Sequence, residues 1–285
     1  MHWTFLDGTS LTGPKTTVEI PPGRVAALAA VLVLHAGRPV ERERISDILW
    51  EGESPDNARD RLNTLLWRLR RLIRSSGGKG RCIENRRAYL KYTPPQEFSV
   101  DALRISAAAR QLVSRNAANA DTDELFACAD AYHTDFLSGS EDHWSIVTRE
   151  ALRSGILTIL EALLERMSAA GSWGRVSELA ERMMALDPTL EAGHRHMIAL
   201  HGRRDDVSAA ERQYQVLSRV LKDKLDVDPA PETAAAIDAL RINRGPQPGK
   251  LTTDGKRRTL VQRPSFKAVE SALEHLDTAR AHLLG

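Results

Sequence analysis

The chain has 285 residues and a formal net charge of +2, which leaves room for two ordinary domains. Aromatic residues make up only 5%, so helices packed through leucine and alanine are favoured over a large β-sandwich. Two cysteines cannot supply a disulfide framework, and the longest apolar run, residues 25–34, is too short to cross a bilayer. We therefore expect a soluble, cytoplasmic protein with no membrane partner.

The charge is unevenly distributed along the chain. Eleven basic residues stand against two acidic ones between residues 57 and 92, and six stand against one between residues 243 and 264. The remainder of the chain is acidic overall. A concentrated basic segment on an otherwise acidic protein is typical of a nucleic-acid-binding module joined to a part that avoids nucleic acid.

The first 56 residues predict a small antiparallel sheet followed by two helices. Over residues 1–20, apolar alternation and a hairpin-type turn at Asp7-Gly8 indicate short strands. The helix predicted over residues 24–36 is apolar nearly all round and should be buried at the centre of its domain. A second helix is predicted over residues 42–50, and an acidic loop over residues 51–56 separates it from the next helix.

The helix predicted over residues 57–74 has two contrasting faces. Its apolar side chains recur at the spacing of one buried stripe: Leu62, Leu65, Leu66, Leu69, Leu72 and Ile73. The opposite face carries arginines, an amide, a hydroxyl and one large aromatic: Asn57, Asp60, Arg61, Thr64, Trp67, Arg68, Arg71 and Arg74. Arginine can pair bidentately with guanine and asparagine with adenine, so this face favours DNA recognition. A solvated, arginine-rich surface helix is the alternative.

The residues after this helix predict a basic hairpin. A flexible turn over residues 75–80 leads to short strands near residues 81–84 and 88–92, joined by a tip at residues 85–87. Arg86 and Arg87 alone would also suit an ordinary exposed turn. The order sheet, three helices and hairpin predicts a winged helix-turn-helix, whose last helix enters the major groove and whose tip reaches phosphates or the adjacent minor groove.

Candidate DNA contacts follow from the helix and the hairpin. Candidate phosphate contacts, which would make affinity steeply salt-dependent, are Arg59, Arg61, Arg68, Arg70, Arg71, Arg86, Arg87 and Lys91. Candidate base-edge contacts are Asn63, Thr64, Trp67, Arg68 and Arg71. Asp60 is better explained as a structural acid near the start of the helix.

Four short segments carry a resemblance to a known family. They read Ala-Gly-Arg-Pro-Val over residues 36–40, Arg-Glu-Arg-Ile-Ser-Asp-Ile-Leu-Trp over residues 42–50, Asn-Ala-Arg over residues 57–59 and Arg-Leu-Arg-Arg-Leu-Ile over residues 68–73. These segments look like the OmpR-type DNA-binding domain, and most closely like that of the Streptomyces antibiotic regulatory protein family of bacterial activators. The likeness covers residues 24–92 well and continues more loosely to about residue 242.

The chain departs from the family pattern at two positions. Ala88 stands where family wings usually have a glycine, and Trp67 stands where a smaller or polar side chain is more usual.

The resemblance to this family implies that two copies bind direct repeats on one face of the duplex and contact the sigma factor and core enzyme of RNA polymerase. The acidic loop would touch polymerase, through Glu51, Glu53 and Asp56.

Beyond residue 96 the pattern is helical. Residues 93–96 are the predicted linker, because their two prolines exclude helix and interrupt a sheet. Seven helices are predicted, over residues 100–114, 121–137, 143–171, 175–186, 189–202, 207–224 and 231–242. Similar Asp-Pro endings at Pro188 and Pro229 fit helix pairs stacked as tetratricopeptide-like repeats. The bacterial transcriptional activation domain of the resembled family has this architecture.

No motif predicts catalysis, a metal site or a cofactor. His194, His196 and His201 do not converge, because His196 lies about 160° round the helix from a line that the other two nearly share. The sequence has no Gly-rich P-loop, so the resemblance is to the short form of the family, which lacks the ATPase module. Motifs of hydrolytic enzymes are also missing from the sequence, so we do not expect an enzyme.

The tail has two parts with different patterns. Residues 243–264, rich in glycine, proline and basic residues, predict a linker or a charged arm. Residues 265–284 regain an amphipathic helical pattern, whose apolar stripe needs a surface to cover it. That helix is expected to pack back on the repeats, or to bind a partner or a second copy.

These patterns together predict a mainly α protein. A winged helix-turn-helix, with a small β-sheet and three helices, would occupy residues 1–93, a tetratricopeptide-like repeat domain residues 97–242, and the tail residues 243–285. We expect a DNA-binding transcriptional activator that pairs with a second copy on DNA. The alternatives are a repressor of the same fold and a protein-interaction scaffold whose winged helix no longer reads DNA.

Overall fold

The computed structural model describes residues 1–50, 55–114 and 119–243. The contacts within this part of the chain form two compact units, Met1–Ile156 and the residues from Leu157 onward. The predictions for residues 51–54, among them Glu51 and Glu53, and for the tail from residue 244 lie outside the described residues. In the part that is described, no helix is long and apolar enough to cross a membrane.

The first unit opens with a four-stranded sheet. Strands β1 (His2–Thr4), β2 (Ser10–Thr12) and β3 (Thr17–Glu19) pair antiparallel, as the sequence predicted. A fourth strand, β7 (Ser99–Val100), pairs parallel with β1 and gives the order β3-β2-β1-β7. The sequence did not predict β7, because a two-residue strand that follows two prolines has no periodicity of its own.

Three helices follow strand β3 in the chain: α1 (Arg24–Leu34), α2 (Arg42–Leu49) and α3 (Pro55–Ser75). Every residue of α1 from Ala26 to Val33 is buried, as expected for a helix that is apolar nearly all round. Both α1 and α2 pack on α3. The predicted acidic loop over residues 51–56 was too long, because Pro55 and Asp56 already belong to α3. Proline suits a first helical turn, where its missing N–H has no partner to lose.

A second, three-stranded sheet follows α3. A short 3-10 helix (Gly80–Cys82) leads into β5 (Ile83–Asn85) and β6 (Tyr89–Tyr92), and β6 also pairs with β4 (Pro39–Glu41), giving the order β4-β6-β5. We call this sheet the wing. The hairpin of β5 and β6 was predicted, whereas β4 was not, since a three-residue strand between two helices is too short to show alternation.

Aromatic side chains hold the first unit together. Trp3 and Phe5 stack with their ring centroids 6.3 Å apart, and the Trp3 indole N–H donates to the hydroxyl of Tyr92 at 3.2 Å. Phe5 in turn contacts Phe136 at 5.7 Å between centroids. The first sheet, the wing strand β6 and the segment after α5 thus share one buried core, in which Trp3, Phe5 and Phe136 are at most 1% exposed.

Two helices and part of a third complete the first unit: α4 (Asp101–Val113), α5 (Thr122–Ala131) and the start of α6 (His143–Ala169). The prediction that α5 extends to residue 137 was wrong. Its chain leaves the helix at Tyr132, and the N–H groups of His133 and Thr134 both donate to the carbonyl of Leu6, at 2.8 and 2.7 Å. Hydrogen bonds to a distant loop therefore replace the last turns of the predicted helix.

The second unit is made of helices that pack in sequence. After α6 come α7 (Trp173–Leu186), α8 (Glu191–Arg203), α9 (Val207–Leu225) and α10 (Pro231–Asn243). Helix α8 packs on α7, α9 and α10, around a core of Ile198, Ala210 and Ile237. This succession confirms the predicted helical-repeat architecture.

Candidate nucleic-acid interface

The buried stripe of α3 is as predicted, with one exception. The side chains that fix the helix on its neighbours are Ala58, Leu62, Leu65, Leu66, Leu69 and Ile73. Leu72, placed on the same stripe by its spacing, is only half-buried. Burial of such a stripe, at about 1.5–3 kcal/mol for each large side chain, sets the rotation of the helix and so decides which residues face outward.

The outward face of α3 presents the polar and basic residues that the sequence singled out. Its exposed side chains are Asn57, Arg59, Asp60, Arg61, Asn63, Thr64, Trp67, Arg68, Arg71 and Arg74. Trp67 is 56% exposed, a large fraction for a tryptophan side chain. The guanidinium of Arg71 lies 5.7 Å from the Trp67 ring centroid, close enough for a cation–π contact that orients both groups.

One guanidinium, that of Arg42, connects this helix face to the wing. Its Nη2 donates to the amide oxygen of Asn63 at 2.8 Å, and its Nη1 donates to the amide oxygen of Asn85 at 2.6 Å. The backbone N–H of Arg42 also donates to the carbonyl of Ala88, at 2.9 Å. Burial, together with the nearby Arg59 cation, lowers the pKa of Arg42, although an arginine stays charged at neutral pH. Asn63 and Asn85 are thus held on either side of one cation.

Arg42 was not among the DNA-contact residues predicted from the sequence. Its helical position was predicted correctly, but periodicity shows only which residues share a face of one helix. The partners of Arg42 belong to α3 and to β5, and no spacing in the sequence relates those elements to the start of α2. The prediction would have required the strand pairing of β4 with β6, which brings the start of α2 beside the hairpin tip.

The wing tip carries two exposed arginines. Arg86 pairs through Nε with the Glu84 carboxylate at 2.6 Å, and that hydrogen bond raises the pKa of Arg86. Arg87 is exposed beside it. The N–H of Arg86 donates to the carbonyl of Tyr89 at 2.9 Å and closes the turn. Ala88 is not among the residues with positive φ in the described chain, so this tip forms without the glycine that family wings usually have.

Two other candidate DNA contacts, Arg70 and Lys91, are half-buried. Arg70 is half-buried, and its Nη2 donates to the carbonyl of Ile83 at 2.7 Å, so the structure places it under the base of the wing and not on the outward face. Lys91 lies opposite Glu84 in the register of β5 and β6 and is half-buried. The expectation that Arg70 belongs with the outward phosphate contacts is therefore corrected, because its guanidinium is bound to the backbone of β5.

The hydroxyl of Thr64 already takes part in a hydrogen bond within α3. Its hydroxyl donates to the carbonyl of Asp60 one turn earlier, at 3.1 Å. The hydroxyl proton is therefore used within the helix, and the side chain offers a methyl group and a hydrogen-bond acceptor to the outside.

The histidines of the second unit have structural partners. The ring of His194 lies 2.7 Å from the Gln213 side-chain nitrogen and 3.2 Å from the carbonyl of Pro188, while His196 lies 2.9 Å from the Ser168 hydroxyl. Burial lowers the pKa of both rings. Across the described residues, no group of three histidine, cysteine or acidic side chains could hold a metal ion.

Residues 100–241 match the family model of the bacterial transcriptional activator domain. The chain belongs to the family of regulators that carry this domain. The predicted resemblance is confirmed in its architecture, a winged helix-turn-helix followed by a bacterial transcriptional activator domain. The chain is accordingly a bacterial transcription regulator, and regulators of this kind are typically not enzymes.

A solved structure has the same fold. Mycobacterium tuberculosis EmbR, in complex with a low-affinity phosphopeptide, matches 99% of this chain and 70% of its own with a TM-score of 0.65. The two sequences are 20% identical, so the likeness concerns the fold. No curated protein sequence matches the chain significantly.

Proposed function

We propose that this regulator binds double-stranded DNA with α3 in the major groove and the wing tip on the adjacent backbone. The observation that carries the proposal is the Arg42 bridge, which holds Asn63 of α3 and Asn85 beside the wing tip on one guanidinium. A helix that contacts base edges and a loop that binds phosphates must be held in a fixed relative position if both are to bind the same duplex. The fold of the bacterial transcriptional activator family supports the same function.

The proposed DNA contacts on α3 and on the wing divide into two groups. Arg59, Arg61, Arg86, Arg87 and Lys91 are proposed to bind phosphates, since arginine and lysine at the edges of such a surface meet the backbone first. Asn63, Thr64, Trp67, Arg68 and Arg71 are proposed to face base edges.

The contacts that Asn63 and Arg71 make within the protein limit which base atoms each side chain can contact. Arg42 has only donors, so the amide of Asn63 must turn its oxygen towards Arg42 and its NH2 group outward. Asn63 is then suited to donate to a purine N7, and less suited to the bidentate adenine contact, which also needs its oxygen. Beside it, Trp67 offers an apolar plate for a thymine methyl, and Arg71, oriented by that ring, is placed to pair with an adjacent guanine.

The regulator is further proposed to act as an activator. Two copies would bind direct repeats near a promoter and contact the sigma factor and core RNA polymerase, in part through Glu51, Glu53 and Asp56. This step is supported by the family resemblance and by the acidic character of residues 51–56. A repressor of the same fold would bind the same sites at positions that exclude polymerase.

Two single substitutions test the DNA contact. With an operator selected from random duplexes, Arg71→Gln is expected to lose about 5- to 100-fold in affinity and to relax the preference at one base pair, because it removes a bidentate base contact. Arg86→Gln is expected to weaken all duplexes alike and to reduce the magnitude of the log–log salt slope by about 1, because it removes one phosphate contact. Fluorescence anisotropy at several salt concentrations measures both.

The matched control is Arg219→Gln, which removes an exposed arginine of α9 far from the candidate surface in sequence. It should keep both affinity and salt slope. If Arg71→Gln retains full affinity and an unchanged base preference, α3 is not the recognition helix. Failure of the unmodified protein to bind random duplex at low salt would favour the scaffold alternative.

A further inference from the structure

A second basic site lies where the end of α3 meets the base of the wing. A cavity of about 520 Å³, open to solvent, is lined there by Arg70, Arg74, Gly80, Arg81 and Ile83. Arg70 and Arg74 stand one helical turn apart on α3, and Arg81 comes from the 3-10 helix that precedes β5. We call this cavity the arginine pocket.

The three cations of the arginine pocket have no anionic partner in the described part of the chain. Arg70, Arg74 and Arg81 form no ion pair there with any carboxylate. The Nε of Arg70 is buried and has no hydrogen-bond partner within that part, although its Nη2 is bound to the carbonyl of Ile83. A buried guanidinium N–H without an acceptor is costly, so the protein alone leaves Arg70 incompletely satisfied.

The surroundings of the pocket leave its charge uncompensated. Cys82 borders Arg70, but burial raises the pKa of its thiol to about 11, so it supplies no thiolate at neutral pH. The C-terminal end of α3 carries a partial negative charge of roughly half a unit, which accounts for one cation in the last turn but not for three grouped cations. Three guanidinium groups around one pocket favour an anionic ligand.

The absence of a side chain at Gly80 lets the loop backbone lie close to Arg74. A Cβ at Gly80 would lie 3.0–3.3 Å from the Nη1, Cδ and Cγ atoms of Arg74, which is tighter than ordinary contacts. Glycine at this position lets the Arg74 side chain lie directly against the loop backbone. The glycine thus helps to keep Arg74 at the rim of the pocket.

We propose that the arginine pocket binds the phosphate group of a small anionic molecule, separately from the residues proposed above to contact DNA. Guanidinium forks match phosphate oxygens bidentately, and three of them from two elements suit a group with several charged oxygens. The pocket lies at Ile83, the end of β5 away from the wing tip. Arg74 contributes to it from the last turn of α3, whereas the proposed base and phosphate contacts lie on earlier turns of that helix and on the hairpin of the wing. A bound phosphate would tie the last turn of α3 to the base of the wing.

The test uses the full chain and inorganic pyrophosphate as the probe. Isothermal titration at constant ionic strength, with chloride replaced by pyrophosphate, should show saturable binding. The double variant Arg74→Gln/Arg81→Gln should weaken that binding at least tenfold. Both side chains are exposed, so the fold should survive, as circular dichroism would verify. Arg70 is left unchanged because it supports the carbonyl of Ile83.

The control is Arg68→Gln, which removes an exposed cation from the DNA-reading face and should leave pyrophosphate binding unchanged. Absence of saturable binding by the unmodified protein overturns the proposal, as does binding that survives in the double variant or is lost equally in Arg68→Gln. A double variant that loses affinity for random duplex while the parent protein ignores pyrophosphate also overturns it, because the pocket would then serve the DNA backbone. None of these results depends on whether α3 reads an operator.

Discussion

At the scale of single residues, Arg42 decides how the candidate DNA surface is assembled. Its guanidinium satisfies two amide oxygens from different elements, and its backbone binds a third group, the carbonyl of Ala88. Hydrogen bonds to a charged donor contribute about 1.5–3 kcal/mol each when they are well formed. Because Asn63 and Asn85 are exposed, the main effect of Arg42 should be on their orientation and only secondarily on stability.

Replacing Arg42 tests this role. Arg42→Gln can keep at most one of the two side-chain bonds, so the wing and α3 should lose their fixed relation and operator affinity should fall about tenfold, equivalent to roughly 1.4 kcal/mol. Arg42→Lys should also fall short, because an ammonium lacks the planar fork that reaches both amides. Anisotropy titrations measure the affinity, and thermal unfolding followed by circular dichroism should show an intact fold.

Arg44→Gln is the matched control for Arg42. It removes an exposed arginine from the same helix, two residues further on, and should leave affinity nearly unchanged. Equal losses in the two variants would mean that Arg42 acts through general charge, and no loss in Arg42→Gln would mean that the bridge has no part in binding.

The residue scale also shows where sequence reasoning succeeded and where it failed. The exposure of Trp67 and Arg71 followed from the 3.6-residue period, since the buried leucines fix the rotation of α3. Arg70 was misplaced because the same period puts it at the edge of the outward face, and only the base of the wing turns it inward. Periodicity determines an angle around one helix, whereas a partner such as Ile83 depends on tertiary packing.

At the scale of elements, long periodic helices were predictable and short or diverted ones were not. Helices α3 and α9 each contain enough turns for the apolar pattern to define their extent within a few residues. Strands β4 and β7 have three and two residues, too few for any alternation to show. Helix α5 ended early because the N–H groups of His133 and Thr134, just after it, donate to the carbonyl of Leu6 near the start of the chain.

The contact of α8 with α9 makes the second unit sensitive to acid. The side-chain nitrogen of Gln213 donates to Nδ1 of His194, whose Nε2–H donates to the carbonyl of Pro188, an arrangement that requires the neutral ring. Burial lowers the pKa of His194 and of His196 below 6.5 in the folded state. The unfolded chain therefore binds more protons as the pH falls, so the stabilisation is complete above about pH 6.5 and is lost below it.

The lowered pKa values of His194 and His196 predict how the stability of the protein changes with pH. The free energy of urea unfolding of the full chain should fall between pH 7 and pH 5.5, and the double variant His194→Gln/His196→Gln should show a smaller fall. His133→Gln, which alters an exposed histidine, should retain the pH dependence of the parent. A parent protein whose stability is flat over this range would show that the two rings do not resist protonation as their burial implies.

At the scale of the whole molecule, the architecture was predictable because two kinds of pattern changed along the chain. Short strands around an arginine-rich helix gave way, after the two prolines at residues 94 and 95, to continuous helical repeats. The structure adds that the chain beyond those prolines folds back on the first sheet. The Asp101 carboxylate accepts hydrogen bonds from the N–H groups of Phe5 and Leu6, at 2.7 and 2.9 Å. Such a contact between distant segments leaves no periodic trace in the sequence.

A footprint shows whether this chain binds DNA at promoters and whether it acts there as an activator. The purified protein would be bound to genomic DNA fragments with and without RNA polymerase holoenzyme, and the protected sites mapped. We expect protected direct repeats just upstream of a promoter, bound more tightly when polymerase is present. Protection that covers the promoter and excludes polymerase would contradict activation, and no protection at low salt would contradict DNA binding itself.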